Sequence, residues 1–157
     1  MHSIEATYRI NTPMFIAGAN QQEAELRIPS FKGALRFWWR ALAYGRYNGD
    51  LAQIKKNEDE IFGSTKGQAH ILMSLNQHPP STSYNFNNLF AKRPGSRYLA
   101  YGIPEAKRNY IDKGNNLTIK IISKNMICEN VKNALIFLGL FGGIGSRSRK
   151  GYGSITL

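Results

Sequence analysis

Gly142-Gly-Ile-Gly-Ser-Arg-Ser-Arg-Lys-Gly-Tyr-Gly153 sets five glycines around three cations close to the C-terminus. What flanks this stretch decides the fold. Before it, apolar Val131, Ala134, Leu135, Leu138 and Phe141 predict a helix over Asn130 to Phe141. After it, Gly151 to Leu157 reads as a closing strand. The order is therefore helix, loop, strand. A Walker A loop needs a Gly-Lys pair between a strand and a helix, and a dinucleotide fingerprint must likewise follow a strand and open a helix. Neither fits, which removes mononucleotide binding. Backbone phosphates of a nucleic acid remain suited to the stretch. Arg147, Arg149 and Lys150 bring charge, and Gly143, Gly145 and Gly151, with Ser146 and Ser148 between them, let a ligand come close to backbone N–H groups. The competing reading is a flexible basic connection that binds nothing.

Upstream, Ile4, Ala6, Tyr8 and Ile10 alternate with polar residues and predict a half-buried strand. Thr12-Pro13 interrupts it, and Ala24, Leu26 and Ile28 alternate again in a hairpin-like excursion. Pro29-Ser30 marks a helix start with Ser30 as N-cap, and Phe31, Leu35, Trp38 and Leu42 form its apolar stripe until Gly45 stops it. A second helix runs from Leu51 to Phe62, capped by Asp50 and ended by Gly63, and carries the acidic run Glu58-Asp59-Glu60 as a solvated face. Strands follow over Ala69 to Leu75, Tyr98 to Ile103 and around Leu117, Ile119 and Ile121, with a long polar loop or insertion over 77–96. Strand, helix, strand, strand, helix, strand is the α+β ferredoxin-like (RRM-like) βαββαβ plan, an antiparallel sheet with helices on one face. Residues 1–157 are expected to form one such domain, with the extra hairpin and long loop hung on it.

The 157 residues suffice for a real core. Lys+Arg 21 against Asp+Glu 10 leaves a formal charge of +11, which favours a polyanionic partner. One cysteine, Cys128, excludes an internal disulfide framework and reads as a small core residue. The N-terminus lacks the basic and apolar regions of a signal peptide, and Ala134 to Ile144 is too short to span a bilayer, so a cytoplasmic location without membrane contact is expected.

Lys32, Arg36 and Arg40 fall four apart on one ridge of the first helix, near Gly33. They suit either a solvated face or an RNA contact. Trp38 and Trp39 cannot both face the core, so one anchors it and the other meets the surface. His2, His70 and His78 have no metal-ligand spacing with one another or with Cys128, and no nucleophile–base pair is evident. No catalytic residue, metal or cofactor is assigned.

Gly143-Ile-Gly-Ser-Arg-Ser-Arg-Lys-Gly-Tyr-Gly153 resembles the glycine-rich signature of the RAMP superfamily of CRISPR proteins. Arg27-Ile-Pro-Ser-Phe-Lys-Gly-Ala-Leu-Arg-Phe-Trp-Trp-Arg-Ala-Leu42, with Thr12-Pro13-Met-Phe-Ile and Glu60-Ile-Phe-Gly-Ser64, is similar to the subunit one family of the type III-B Cmr effector complex. The resemblance covers the first 64 residues and about the last 15. It implies a non-catalytic RNA-binding and assembly subunit of an antiviral complex, with crRNA, target RNA and other Cmr subunits as partners. It also carries RNA contact onto the glycine-rich loop and onto Lys32, Arg36 and Arg40. Members of the family commonly carry two modules, and this chain has room for one. The alternatives are a RAMP endoribonuclease that processes crRNA and a scaffold held only by protein contacts.

Overall fold

β1 (His2–Ile10) turns Ala6, Tyr8 and Ile10 inward and Glu5, Thr7 and Arg9 outward, so one of its faces has to be covered. The computed structural model describes residues 1–91 and 94–157, and in it β1 lies inside a four-stranded antiparallel sheet. The sheet order is β2-β3-β1-β4, with β2 at Ile71–Leu75, β3 at Asn116–Ser123 and β4 at Ile155–Thr156. β1 pairs with β3 from His2↔Ser123 to Arg9↔Asn116, and β4 meets only the end of β1. α1 (Ile28–Arg46) and α5 (Glu129–Phe141) pack against each other and share one core with the inward residues of β1 and β3. This is the ferredoxin-like arrangement. The Tyr8 hydroxyl donates to the Leu135 carbonyl of α5 at 2.9 Å, tying sheet to helix, and burial pushes that hydroxyl's pKa well up.

α1 departs from the sequence reading at both ends. Its N-cap is Arg27 with Pro29 in the first turn, where a fixed φ and a missing N–H fit; Ser30 already lies inside the helix. The helix passes through Gly45, and the left-handed turn falls at Asn48 (φ 49) and Gly49 (φ 78). The stripe also shifts. Phe31, Leu35, Trp39 and Ala43 are the fully buried set, while Trp38 is half-buried. α1 is flanked on two sides, so Trp39 meets Phe62 of α2 (Leu51–Phe62) edge-on at 5.8 Å and Trp38 turns toward α5. Asp50 caps α2 by accepting from the Ala52 and Gln53 amides, and Gly63 ends it at φ 82, as the sequence predicts.

Two further expectations fail. Tyr98 to Ile103 is not a strand; it joins α3 (Pro94–Leu99) to α4 (Ile103–Ala106), turning at Gly102 with φ 88. A short apolar run carries no period that separates helix from strand. Cys128 is exposed at the N-cap of α5, because in this extended stretch its neighbour Ile127 is the residue that enters the core and the next side chain points the other way. Much of 77–96 has structure of its own. Thr82 and Tyr110 exchange backbone hydrogen bonds at 2.7 and 3.1 Å, and Asn87–Ala91 forms a wide helical turn. Lys92 and Arg93 lie outside the described residues. Phe90, Ala100, Ile103 and Tyr110 pack with Phe15 and Tyr152 into a second, smaller core beneath the glycine-rich loop.

Candidate nucleic-acid interface

The loop after α5 is held on both sides. The Ile144 amide donates to the Gly153 carbonyl at 2.9 Å, the Ser146 amide to Phe15 at 2.7 Å, and the Gly153 amide to Pro13 at 2.9 Å. Thr12 adds a side-chain clamp, donating to the Gly151 carbonyl at 2.7 Å and accepting the Ser154 amide at 2.9 Å. The loop is thus a fastened turn rather than a flexible connection. Two glycines make this possible. At Gly145 (φ 96) a Cβ would sit 2.6 Å from the Phe15 carbonyl oxygen, and at Gly153 (φ 62) it would overlap the Ile144 carbonyl.

Fastening sorts the cations. Arg147 adopts φ 65, and its Nη2 donates to the Tyr101 carbonyl at 2.6 Å, holding the α3–α4 junction. Arg149 and Lys150 end the short turn Ser148–Lys150, exposed and without an ion pair among the described residues. On α1 the ridge behaves differently. Arg36 Nε lies 2.6 Å and Arg40 Nε 3.8 Å from Glu58 Oε1, and the Glu58 side chain is only 5% exposed. The Arg36 guanidinium also stands 5.9 Å from the Phe62 ring centroid. Glu58 is therefore a buried counterion between α1 and α2 rather than part of a solvated face. Lys32 has no ion pair among the described residues; burial, helped by the Arg36 charge, lowers its pKa. Gly33 beside it faces open space.

A cleft of about 350 Å³ lies between the start of α1 and the loop. Ser30, Ala34, Phe37 and Trp38 form one wall, and Phe141 to Gly145 with Ser148 and Arg149 the other. The loop and the first helix do meet, but Lys32, Arg36 and Arg40 are not among the cleft's lining residues. Aromatic rings occupy that side instead. Phe37 stands edge-on to Trp38 at 5.4 Å, Trp38 lies 6.0 Å from Phe141, and Phe37 and Phe141 are 52% and 67% exposed. Sequence reasoning missed Phe37 and Phe141. The available signal was an aromatic triplet, Phe37-Trp38-Trp39, too wide for one buried stripe.

Chemically, the cleft offers ring faces for a base, glycine backbone for close approach and a guanidinium fork for phosphate. His2, His70 and His78 are exposed near the ends of β1 and β2 and line neither this cleft nor a larger one on the far side of the loop. No group of three His, Cys, Asp or Glu among the described residues is placed to hold a metal. No helix among them is long and apolar enough to cross a membrane.

Sheet order, helix placement and the fastened glycine turn define a ferredoxin-like module. The chain belongs to the RAMP superfamily, whose family model matches residues 7–156. It is similar to the CRISPR system Cmr subunit Cmr1-2 of Pyrococcus furiosus, 25% identical over 168 residues that cover 93% of this chain and 90% of that one. The crystal structure of Cmr1 from Pyrococcus furiosus in its apo form superposes with a TM-score of 0.83 at 24% identity, covering 99% of this chain and 49% of the other. This chain thus spans about half the length of that solved protein. A chain of the type III-B Cmr-beta complex bound to cognate target RNA matches with a TM-score of 0.63 at 13% identity, covering 96% of this chain and 52% of that one. The resemblance to subunit one of the Cmr complex therefore holds in sequence, and the fold agrees.

Proposed function

We propose that the chain is a single-domain, non-catalytic subunit of a type III-B CRISPR complex that holds an RNA strand, crRNA or target, in the cleft between α1 and the glycine-rich loop. The observation that carries this reading is the coincidence of exposed rings, close-approach glycine backbone and the exposed Arg149 around one cleft. Gly143, Gly145, Ser148 and Arg149 take the backbone there, while Lys150 and Gly151 continue beyond it. Lys32 adds a free charge near the helix start; Arg36 and Arg40 serve mainly the α1–α2 junction through Glu58. The similarity to a Cmr1 subunit, and the fold shared with a chain of a complex solved with target RNA, support the assembly and the ligand class. Exposed Ile136 and Leu140 on α5 give a neighbouring subunit an apolar face beside the cleft.

Photocrosslinking of single-stranded RNA to the chain, followed by peptide mapping, tests this. Adducts are expected within Phe37–Trp38 and Phe141–Lys150. Adducts confined to the open sheet face, or none in a complex that still forms, would remove the RNA reading and leave the scaffold one. Metal-independent cleavage of the RNA that is lost on changing His2, His70 or His78 would instead restore the endoribonuclease reading.

A further inference from the structure

The loop borders a second cleft, about 730 Å³ and sharing no lining residue with the first. One wall is the loop end, Lys150 to Tyr152, with Asn11 to Pro13 at the end of β1. Another comes from the segment after β2, where Asn87, Asn88 and Leu89 line the space, and Lys113, on the turn bonded to the end of β1, also lines it. Hydrogen bonds hold the loop-end wall, and Phe90, buried in the second core, anchors the turn that carries Asn87 and Asn88. The Tyr152 hydroxyl donates to the Ser96 carbonyl at 2.7 Å, and Thr12 holds Gly151. The cleft is therefore formed before anything enters it.

Two juxtapositions give it a ligand. Arg149 lines the first cleft and Lys150, its chain neighbour, lines the second, so a strand crossing the loop meets one cation on each side. Asn87 and Asn88 are exposed, and neither side-chain amide has a hydrogen-bond partner among the described residues. Each presents a donor and an acceptor in one plane, the pairing that reads a base edge. Asp112 is the carboxylate in the lining, and its Oδ1 accepts the Lys113 amide at 2.8 Å within its own turn.

We infer that this second cleft receives one unpaired nucleotide of the RNA strand, its phosphate beside Lys150 and Lys113 and its base edge against Asn87 and Asn88. The inference rests on the RNA reading above and adds to it a base preference, which backbone contacts alone do not supply. The test measures binding of short oligo(A), oligo(U) and oligo(C) RNA by fluorescence anisotropy. The unchanged protein should show a spread of about tenfold between its tightest and weakest oligomer, in line with one good bidentate base contact. Asn87→Ala with Asn88→Ala should bring that spread below about threefold while leaving the weakest oligomer's affinity unchanged, because backbone contacts persist. Equal affinities in the unchanged protein, or an undiminished spread in the double variant, would overturn the inference and leave backbone binding standing. Backbone binding at the loop fails separately, if Arg149→Ala with Lys150→Ala binds all three oligomers as tightly as the unchanged protein.

Discussion

The α1 ridge and the glycine-rich loop each bring three cations, and on sequence grounds both suit the same polyanion. The structure gives them different work. Glu58, buried one turn before the end of α2, draws Arg36 and Arg40 into a helix junction and leaves only Lys32 without a counterion among the three. The loop ties one exposed cation down, Arg147 on the Tyr101 carbonyl, and leaves Arg149 and Lys150 unpaired among the described residues on a frame that backbone hydrogen bonds hold still. Charge near a site is not the same as charge available to it. What decides is whether a carboxylate or carbonyl of the fold has already taken the donor.

The comparison can be broken most forcefully at the frame. Gly145→Val should destabilise the chain by about 3 kcal/mol, since a branched side chain at φ 96 would meet the Phe15 carbonyl. Thermal unfolding reads this, and a melting temperature equal to that of the unchanged protein would mean the loop is free rather than fastened. Glu58→Ala probes the other side. It should cost about 2 kcal/mol, less than a fully buried pair would, because the Arg36 and Arg40 side chains are 29% and 54% exposed and can rehydrate. The same variant frees both arginines, so RNA affinity should hold steady or rise. A fall at unchanged fold would show that the ridge binds RNA as it stands.

Tyr8→Phe sharpens the scaffold beneath both regions, with a smaller expected cost of about 1 kcal/mol for removing the bond to Leu135. Its pH signature has a definite sign. Burial raises the pKa of Tyr8 in the folded state, so its contribution is fully present below the ordinary tyrosine pKa of about 10 and is lost as pH rises beyond it. Tyr110 and Tyr152 are raised in the same direction, also mainly by burial, so the variant should flatten the alkaline loss only in part. Denaturant titrations on either side of that pH measure it.

Local grammar was readable from the sequence wherever the causes were local. Asp50 and Gly63 mark the two ends of α2 because capping is settled within a turn, and the alternations of β1 and β3 are read from side-chain period alone. What failed depended on distant neighbours. Nothing near Arg36 reveals a carboxylate 22 residues away, and the choice between Trp38 and Trp39 turns on α2 lying against one side of α1 and α5 against the other. The same holds for the site. Its glycines and cations stand out in sequence, whereas Phe37 and Phe141, from separate helices, become one wall each of a cleft only after folding.

The salt dependence of single-stranded RNA binding tests the central claim most directly. Removing one phosphate-binding cation should flatten the slope of log affinity against log salt by about 0.7. Arg149→Ala with Lys150→Ala should therefore flatten it by roughly 1.4 and weaken binding, while Arg36→Ala with Arg40→Ala should leave the slope unchanged and lower the melting temperature. The opposite pattern, with the slope falling for the ridge pair and holding for the loop pair, would contradict the account.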